Sequence, residues 1–236
     1  MVMKPELLSF EPVRAFTALS ALVRDPEDTS RVFAVIDAFS GNNGQRVLKR
    51  LRRTQSGAQI LDVRPEILPL LQNLDWLRSQ SSDSLAAAYL DFMHTMGITA
   101  GGLIEAATEQ RDAATADLEW LRCRLRDTHD LWHTVLGYHG DLLGEASVLA
   151  FSAAQIQNPG IGLIVLAAMH RANAEQRQVI TTGFKRGLIA AWFPAVRWEL
   201  LLPLPLAEVR RQLRVDDPPR YERIMPSEIQ ETGWLH

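Results

Sequence analysis

The sequence predicts an all-α fold, a single-domain multi-helix bundle. Three observations carry the prediction. Apolar residues recur at helical spacing along most of the chain, capping residues and Gly or Pro stops bracket those stretches, and no segment alternates as a half-buried strand would. With 236 residues, 47% of them hydrophobic, the chain can bury a sizeable core. No internal repeat or low-complexity block divides it, so residues 1–236 are read as one helical domain.

The elements follow in order. In PVRAFTALSALVRD, Val13, Phe16, Leu19 and Val23 share one helical face. DPEDTSRVFAVIDAFSG offers an N-cap at Asp28 or Thr29 and a stop at Gly41. A basic helix is expected between Gly44 and Arg53. Pro65 and Pro69 limit DVRPEILPLLQNLDWLRS to short helical turns. SDSLAAAYLDFMHTMG reads as a helix capped at Ser82 or Asp83 and ended by Gly97. Gly101 and Gly102 mark a loop before a helix that begins near Thr115, and the helix of the HDLWH stretch follows, through Gly137. A second helix spans Asp141 to Gln157, a third follows Pro159, and NAEQRQVITTGFKRGLIAAWFP gives another that ends before Pro194. LPLPLAEVRRQL gives one short helix, and residues 215–236, Pro-rich and polar, are expected to be an extended or disordered tail.

Composition narrows the function. A formal net charge of -3 argues against nucleic acid as a partner, because such proteins usually carry a basic excess. The basic stretch RVLKRLRRT spreads Arg46, Lys49, Arg50, Arg52 and Arg53 around most of a helix, which favours a solvated surface; contact with anionic lipid headgroups is the functional alternative. The single cysteine, Cys123, has no internal disulfide partner and reads as a small core residue. The longest apolar runs, Ile161 to Met169 and Leu188 to Val196, fall short of the about 20 residues a bilayer span needs. The chain is therefore expected to be soluble or peripheral.

Chemistry concentrates in RLRDTHDLWHTVLGYHGDLLGEASVLAF. Each helical residue turns the chain by about 100 degrees, which places His129 and His133 about 40 degrees apart and Asp130 within an arc of about 100 degrees. Histidines four residues apart can clamp a metal. Gly137 and Gly140 permit a turn, after which an antiparallel helix can return Glu145 to the same point. Two imidazoles and two carboxylates suit a divalent metal: zinc in a tetrahedral shell, or iron, manganese or cobalt with open positions if the site is redox-active. A carboxylate outside the ligand shell would orient a histidine or accept a proton. Each residue also has a plainer reading: a helix-start histidine, a core histidine bonded to a carbonyl, and an aspartate favoured by a helix N-terminus.

Asp130 stands where the H-E-x-x-H zinc proteases carry glutamate, and the shorter side chain would misplace a general base, which argues against a protease. His139 lies in the turn; His94 and His170 lack clear partners. Arg124 and Arg126 flank the motif and either bind an anionic substrate group or form salt bridges to Asp127 or Glu119. Leu142, Leu143, Val148, Leu149, Phe151 and the Ile161 to Met169 run exceed what a small polar substrate needs, leaving room for a groove that holds a long apolar ligand.

These residues carry a family resemblance. HDLWH, eleven residues and Glu145 resemble the H-D-x-x-H-x(11)-E motif of the coenzyme Q biosynthesis protein four family. DPEDTSRVF, GAQILDVRPEI, DSLAAAYLDFM, GEASVLAFSAAQ and WELLLPLPLAEVRRQL fall in the family's order, so the resemblance runs from about Phe16 to Leu213. It implies an all-helical peripheral membrane protein of ubiquinone biosynthesis, with His129, Asp130, His133 and Glu145 as its divalent-metal and catalytic set. The implied activity is oxidative decarboxylation of a polyprenylated hydroxybenzoate, the ring carboxyl being replaced by a hydroxyl, with Arg124 or Arg126 near that carboxylate. The alternative is a non-catalytic scaffold that binds an isoprenoid lipid and organises the biosynthetic complex.

The implied partners are the polyprenylated ring or an isoprenoid lipid, a membrane surface, other ubiquinone-biosynthesis proteins and a second copy of the chain as a homodimer. Leu149 and Ser152 stand where mitochondrial members typically carry lysine and glutamate, and TAGGLIEAA replaces a Ser-Pro-Asp-like turn. With no Arg/Ser-rich transit segment, a bacterial member is expected, cytoplasmic and peripheral on the inner membrane.

Overall fold

The computed structural model describes residue 36 and residues 41–98 and 115–224. The expected helix around Val13 to Val23, the cap at Asp28 or Thr29, the Gly101–Gly102 loop and residues 225–236 lie outside the described residues. Among those described, twelve α-helices and one 3-10 turn form the fold, with no strands.

Five helices are described between residues 41 and 98. Helix α1 (Asn43–Leu51) buries Val47, Leu48 and Leu51, and its basic residues lie outside. Helix α2 (Gln55–Val63), which the sequence reading did not mark, starts at Thr54, whose hydroxyl accepts from Gly57 N–H. The proline-bearing segment gives two five-residue helices, α3 (Leu68–Gln72) and α4 (Leu74–Arg78). Helix α5 (Leu85–Met96) is capped by Ser84, one or two residues later than expected, and stops at Gly97 in the left-handed conformation.

The second half builds the site. Helices α6 (Ala116–Asp127) and α7 (His129–Leu136) are the helix from near Thr115 and the helix of the motif. Thr128 separates them: its hydroxyl turns back onto the Arg124 carbonyl, a pattern that bends helices. Helix α8 (Leu142–Ile156) has Asp141 and Gln157 as its caps, and α9 (Pro159–Arg171) opens on proline behind an Asn158 cap. Helix α10 (Ala174–Ile189) starts with a capping box between Asn173 and Gln176 and ends before the 3-10 turn at Phe193–Ala195. Helices α11 (Trp198–Leu201) and α12 (Leu206–Leu213) complete the described fold.

Helices α8 and α10 pack most closely. A Cβ on Gly183 would collide with the Ser147 carbonyl, and one on Gly187 would come within 2.6 Å of the Phe151 carbonyl. The main core lies between these helices, α5, α7 and the α11–α12 segment. There Trp132, Phe151, Phe193 and Trp198 pack with centroids 4.8–6.0 Å apart, edge to face except for the tilted Phe151–Phe193 pair.

Within the Ile161 to Met169 run, Ile161 and Ile164 are buried, Leu166 is exposed and the rest lie between. None of the described helices is long and apolar enough to cross a membrane. Residues 215–224 carry no helix and are packed down, with Val215 and Ile224 buried.

Candidate metal centre

Helix α7 places His129 in its first turn and His133 one turn on, with ring centroids 4.7 Å apart. Gly137 then adopts φ +73 and ends the helix, so the chain reverses within four residues. A β-carbon added at Gly137 would lie 2.5 Å from Pro218, and left-handed backbone disfavours other residues there. Asp141 starts α8 by accepting from the N–H groups of Leu143 and Gly144, and Glu145 follows in the first turn.

The Glu145 carboxylate oxygen sits 3.4 Å from Nε2 of His133 and 3.9 Å from Nε2 of His129. One ligand atom from each of the three residues falls within 4.8 Å of the others. The arc predicted from helix geometry therefore closes with the expected partner from the next helix.

Each imidazole is held on its far side. Nδ1 of His133 lies 3.2 Å from the Tyr138 carbonyl oxygen. A carbonyl only accepts, so Nδ1 carries the proton and Nε2 presents a lone pair in the neutral ring. That Nε2 is completely buried and has no hydrogen-bond partner, while Phe92 of α5 stacks on the ring at 5.4 Å. Burying an imidazole nitrogen unpaired costs free energy, and a metal would remove that cost. Nδ1 of His129 faces Asp130 at 3.4 Å. Carbonyl–His and carboxylate–His pairs of this kind fix ring tautomer and orientation around metals. The donor set, two imidazoles and one carboxylate with no sulfur, fits a divalent transition metal.

Asp130 is thus not in the three-residue cluster. It lies behind His129, the orienting place the sequence left open for one carboxylate. Electrostatics follow the geometry. Burial pushes the Glu145 carboxyl up, but the imidazoles of His133 and His129 beside it outweigh that and hold it at about 2. Burial alone would lower the pKa of His129; the hydrogen bond to Asp130 and the charges of Glu145 and Asp130 outweigh that and raise it.

The flanking arginines divide. Arg124, 4% exposed, turns inward to form a two-pronged salt bridge with Glu199 at 2.7 and 3.0 Å, and its nitrogens also reach the carbonyls of Val196 and Pro65. It locks α6 to the α11 segment and points its donors away from an anionic ligand; its partner is Glu199 rather than Asp127 or Glu119. Arg126 takes the expected partner, Asp127, through Nε at 2.8 Å. Cys123 is half-buried, its Sγ 3.6 Å from Glu119, and burial pushes the thiol up, away from nucleophilic use.

Two other arginines, unmarked in the sequence, hold the C-terminal end of α7. Arg210 donates to the carbonyls of Thr134 and Val135, and Arg186 to that of Leu136. These are carbonyls that a helix end leaves unpaired, and a cation there also suits the helix dipole. The sequence signal is no more than two arginines on amphipathic or mixed helices far along the chain.

A family model described as "Coenzyme Q (ubiquinone) biosynthesis protein Coq4" matches residues 9–219. The chain belongs to the Coq4 family. Its similarity to named members is moderate. A mitochondrial ubiquinone biosynthesis protein COQ4 of Candida tropicalis is 28% identical over 182 residues, covering 73% of this chain and 56% of that protein. A mitochondrial COQ4 homolog of Bos taurus is 28% identical over 192 residues, covering 79% and 71%. The chain spans about half the length of the fungal relatives it matches.

A crystal structure from Nostoc punctiforme PCC 73102, described under ubiquinone biosynthesis, superposes with a TM-score of 0.66 at 20% identity, covering 89% of this chain and all of that one. At that identity the match speaks for the Coq4 fold. The curated relatives are named mitochondrial, whereas the sequence pointed to a bacterial inner membrane. Membership of Coq4 places the chain in ubiquinone biosynthesis.

Proposed function

We propose that this Coq4 chain is a metal-dependent enzyme of ubiquinone biosynthesis that oxidatively decarboxylates a polyprenylated hydroxybenzoate ring. The observation that carries the reading is the buried, unpartnered Nε2 of His133, 3.4 Å from Glu145 in a cluster completed by His129. His129, His133 and Glu145 would hold the metal. When bound, an iron, manganese or cobalt ion would supply redox chemistry, whereas zinc would supply only Lewis-acid polarisation.

The chain's own residues prepare that site. The Tyr138 carbonyl keeps the His133 proton on Nδ1, and Asp130 does the same for His129, so both Nε2 lone pairs face Glu145. Phe92 covers the His133 ring and excludes water from it. Arg126 remains the arginine for the ring carboxylate, through the guanidinium edge that Asp127 does not use. In the overall reaction the bond from ring to carboxyl breaks, carbon dioxide leaves and a hydroxyl forms on the same ring carbon. That is a two-electron oxidation; dioxygen gives one atom to the ring, and a soluble two-electron reductant takes the other to water. The reaction would take place at a membrane surface, where the polyprenyl chain can stay in an apolar phase.

The test is to purify the protein with its resident metal, measure the metal content, and incubate it with a prenylated hydroxybenzoate, oxygen and a soluble two-electron reductant such as a reduced nicotinamide. A decarboxylated, hydroxylated product that disappears in His133→Ala supports the reading. No turnover with any of iron, manganese, cobalt or zinc counts against it.

A second reading, an isoprenoid-binding scaffold, draws on Leu166, Phe184, Leu188 and Ile189, which lie exposed on α9 and α10. Cells carrying His133→Ala separate the two. A carboxylated intermediate accumulates if the site performs the chemistry, and all late intermediates fall together if it organises other enzymes.

A further inference from the structure

The turn between the two ligand helices does not hold itself. Residues 218–224, expected to be a loose tail, lie across it. The Asp141 carboxylate is 2% exposed and its two oxygens face four donors. Oδ2 accepts from the N–H groups of Leu143, Gly144 and, at 3.1 Å, Ile224; Oδ1 accepts from the Tyr221 hydroxyl at 2.8 Å. That hydroxyl in turn accepts from the His139 N–H at 2.9 Å. Leu142 N–H donates to the Ile224 carbonyl, and Arg223 reaches Nε2 of His139 at 2.8 Å. Pro218 closes against Gly137, and Arg186 ties the Leu136 carbonyl to that of Asp216.

These contacts meet on a five-residue stretch, 137–141, with a ligand-bearing element at each end. On one side is Tyr138, whose carbonyl sets the proton of His133. On the other is Asp141, which starts the helix turn that carries Glu145. The Tyr221 hydroxyl bridges the two sides. The turn has little room to settle elsewhere: a Cβ on Gly144 would collide with the His139 carbonyl and come within 2.7 Å of the Tyr221 hydroxyl.

We infer that Tyr221 and Asp141 are positioning residues of the metal centre, acting through the 137–141 turn to set the distance between His133 and Glu145. The inference rests on the metal reading of the site. Without Tyr221 the turn loses its bridge, and the orientation of Glu145 relative to His133 relaxes while all three ligands remain.

The test titrates metal-free protein with cobalt(II), followed by its d–d absorption, with zinc(II) competition for affinity. Tyr221→Phe keeps the ring and removes the bridging hydroxyl. Asp141→Asn keeps an N-cap acceptor and removes the charge and one acceptor. Leu48→Ala, in the α1 cluster, serves as a destabilised control.

Both site variants are expected to bind cobalt about 10–100-fold more weakly, the range for partners that hold metal ligands in place, and to change the intensity of the band. The control should lose thermal stability with affinity and band intact. Parent-like affinity and spectrum in folded Tyr221→Phe or Asp141→Asn overturns the inference. Parent protein that binds neither metal overturns the metal reading and the inference with it, and is seen before any variant is compared.

Discussion

The Tyr138 carbonyl oxygen lies 3.2 Å from Nδ1 of His133, and this contact decides which edge of a fully buried imidazole is free. The free edge, Nε2, faces Glu145 and no hydrogen-bond partner. Replacing the ring with a similar apolar one separates ligation from packing. His133→Phe is expected to abolish metal binding while the metal-free protein keeps its helical circular dichroism, because the site already stacks on Phe92. Glu145→Gln is expected to weaken binding by more than the roughly 10–100-fold that outer partners contribute. Isothermal titration with zinc measures both.

Acidity should move the metal-free and metal-loaded forms in opposite directions. The raised pKa of His129 means that its protonated form stabilises the metal-free fold below pH 6.5, and that this contribution is lost as pH rises through the raised value. Glu145, lowered from 4.5 to about 2, stabilises above pH 4.5 and loses that contribution as pH falls towards 2. Metal must displace the His129 proton, so affinity rises with pH over the same histidine window. Thermal melts from pH 5 to 8 should show the metal-free midpoint falling and the metal-loaded midpoint rising.

Arg124 and Glu199 form a salt bridge with one fully enclosed partner, and breaking such a pair from one side costs about 3–5 kcal/mol. Arg124→Ala should lose stability of that order in urea unfolding and leave zinc affinity unchanged. Arg124→Lys should recover only part of it, since lysine cannot make the two-pronged contact. A selective rise in KM for the carboxylated substrate, with stability unchanged, would contradict the structural role.

Gly183 lets α10 approach the Ser147 carbonyl of α8. Gly183→Ala is expected to destabilise by about 1–3 kcal/mol through overpacking, despite alanine's better helix propensity. A rise in the unfolding midpoint would refute the close approach.

The sequence by itself determined the helical class, the helix starts near Asp141 and Thr115, the stops at Gly97 and Gly137, and the meeting of His129, His133 and Glu145. All of these depend on local periodicity, on backbone chemistry at helix ends, or on two helices joined by a short turn. The break at Thr128 and the helix over Gln55–Val63 were less legible, because each depends on how a weak local preference is resolved by packing.

Tertiary structure alone decided the rest. Asp130 and Glu145 are both carboxylates near the histidines, and only the direction of the returning helix tells which joins the cluster. Arg124 sits as close to the motif as Arg126, yet its charge goes to Glu199, 75 residues away in sequence. Tyr221 reaches the turn between the two histidine- and glutamate-bearing helices from a tail that reads as loose, because contacts across 80 residues leave no period in a sequence. Spacing encodes what one helix turn can bring together, and only the packed chain supplies the partners that hold it there.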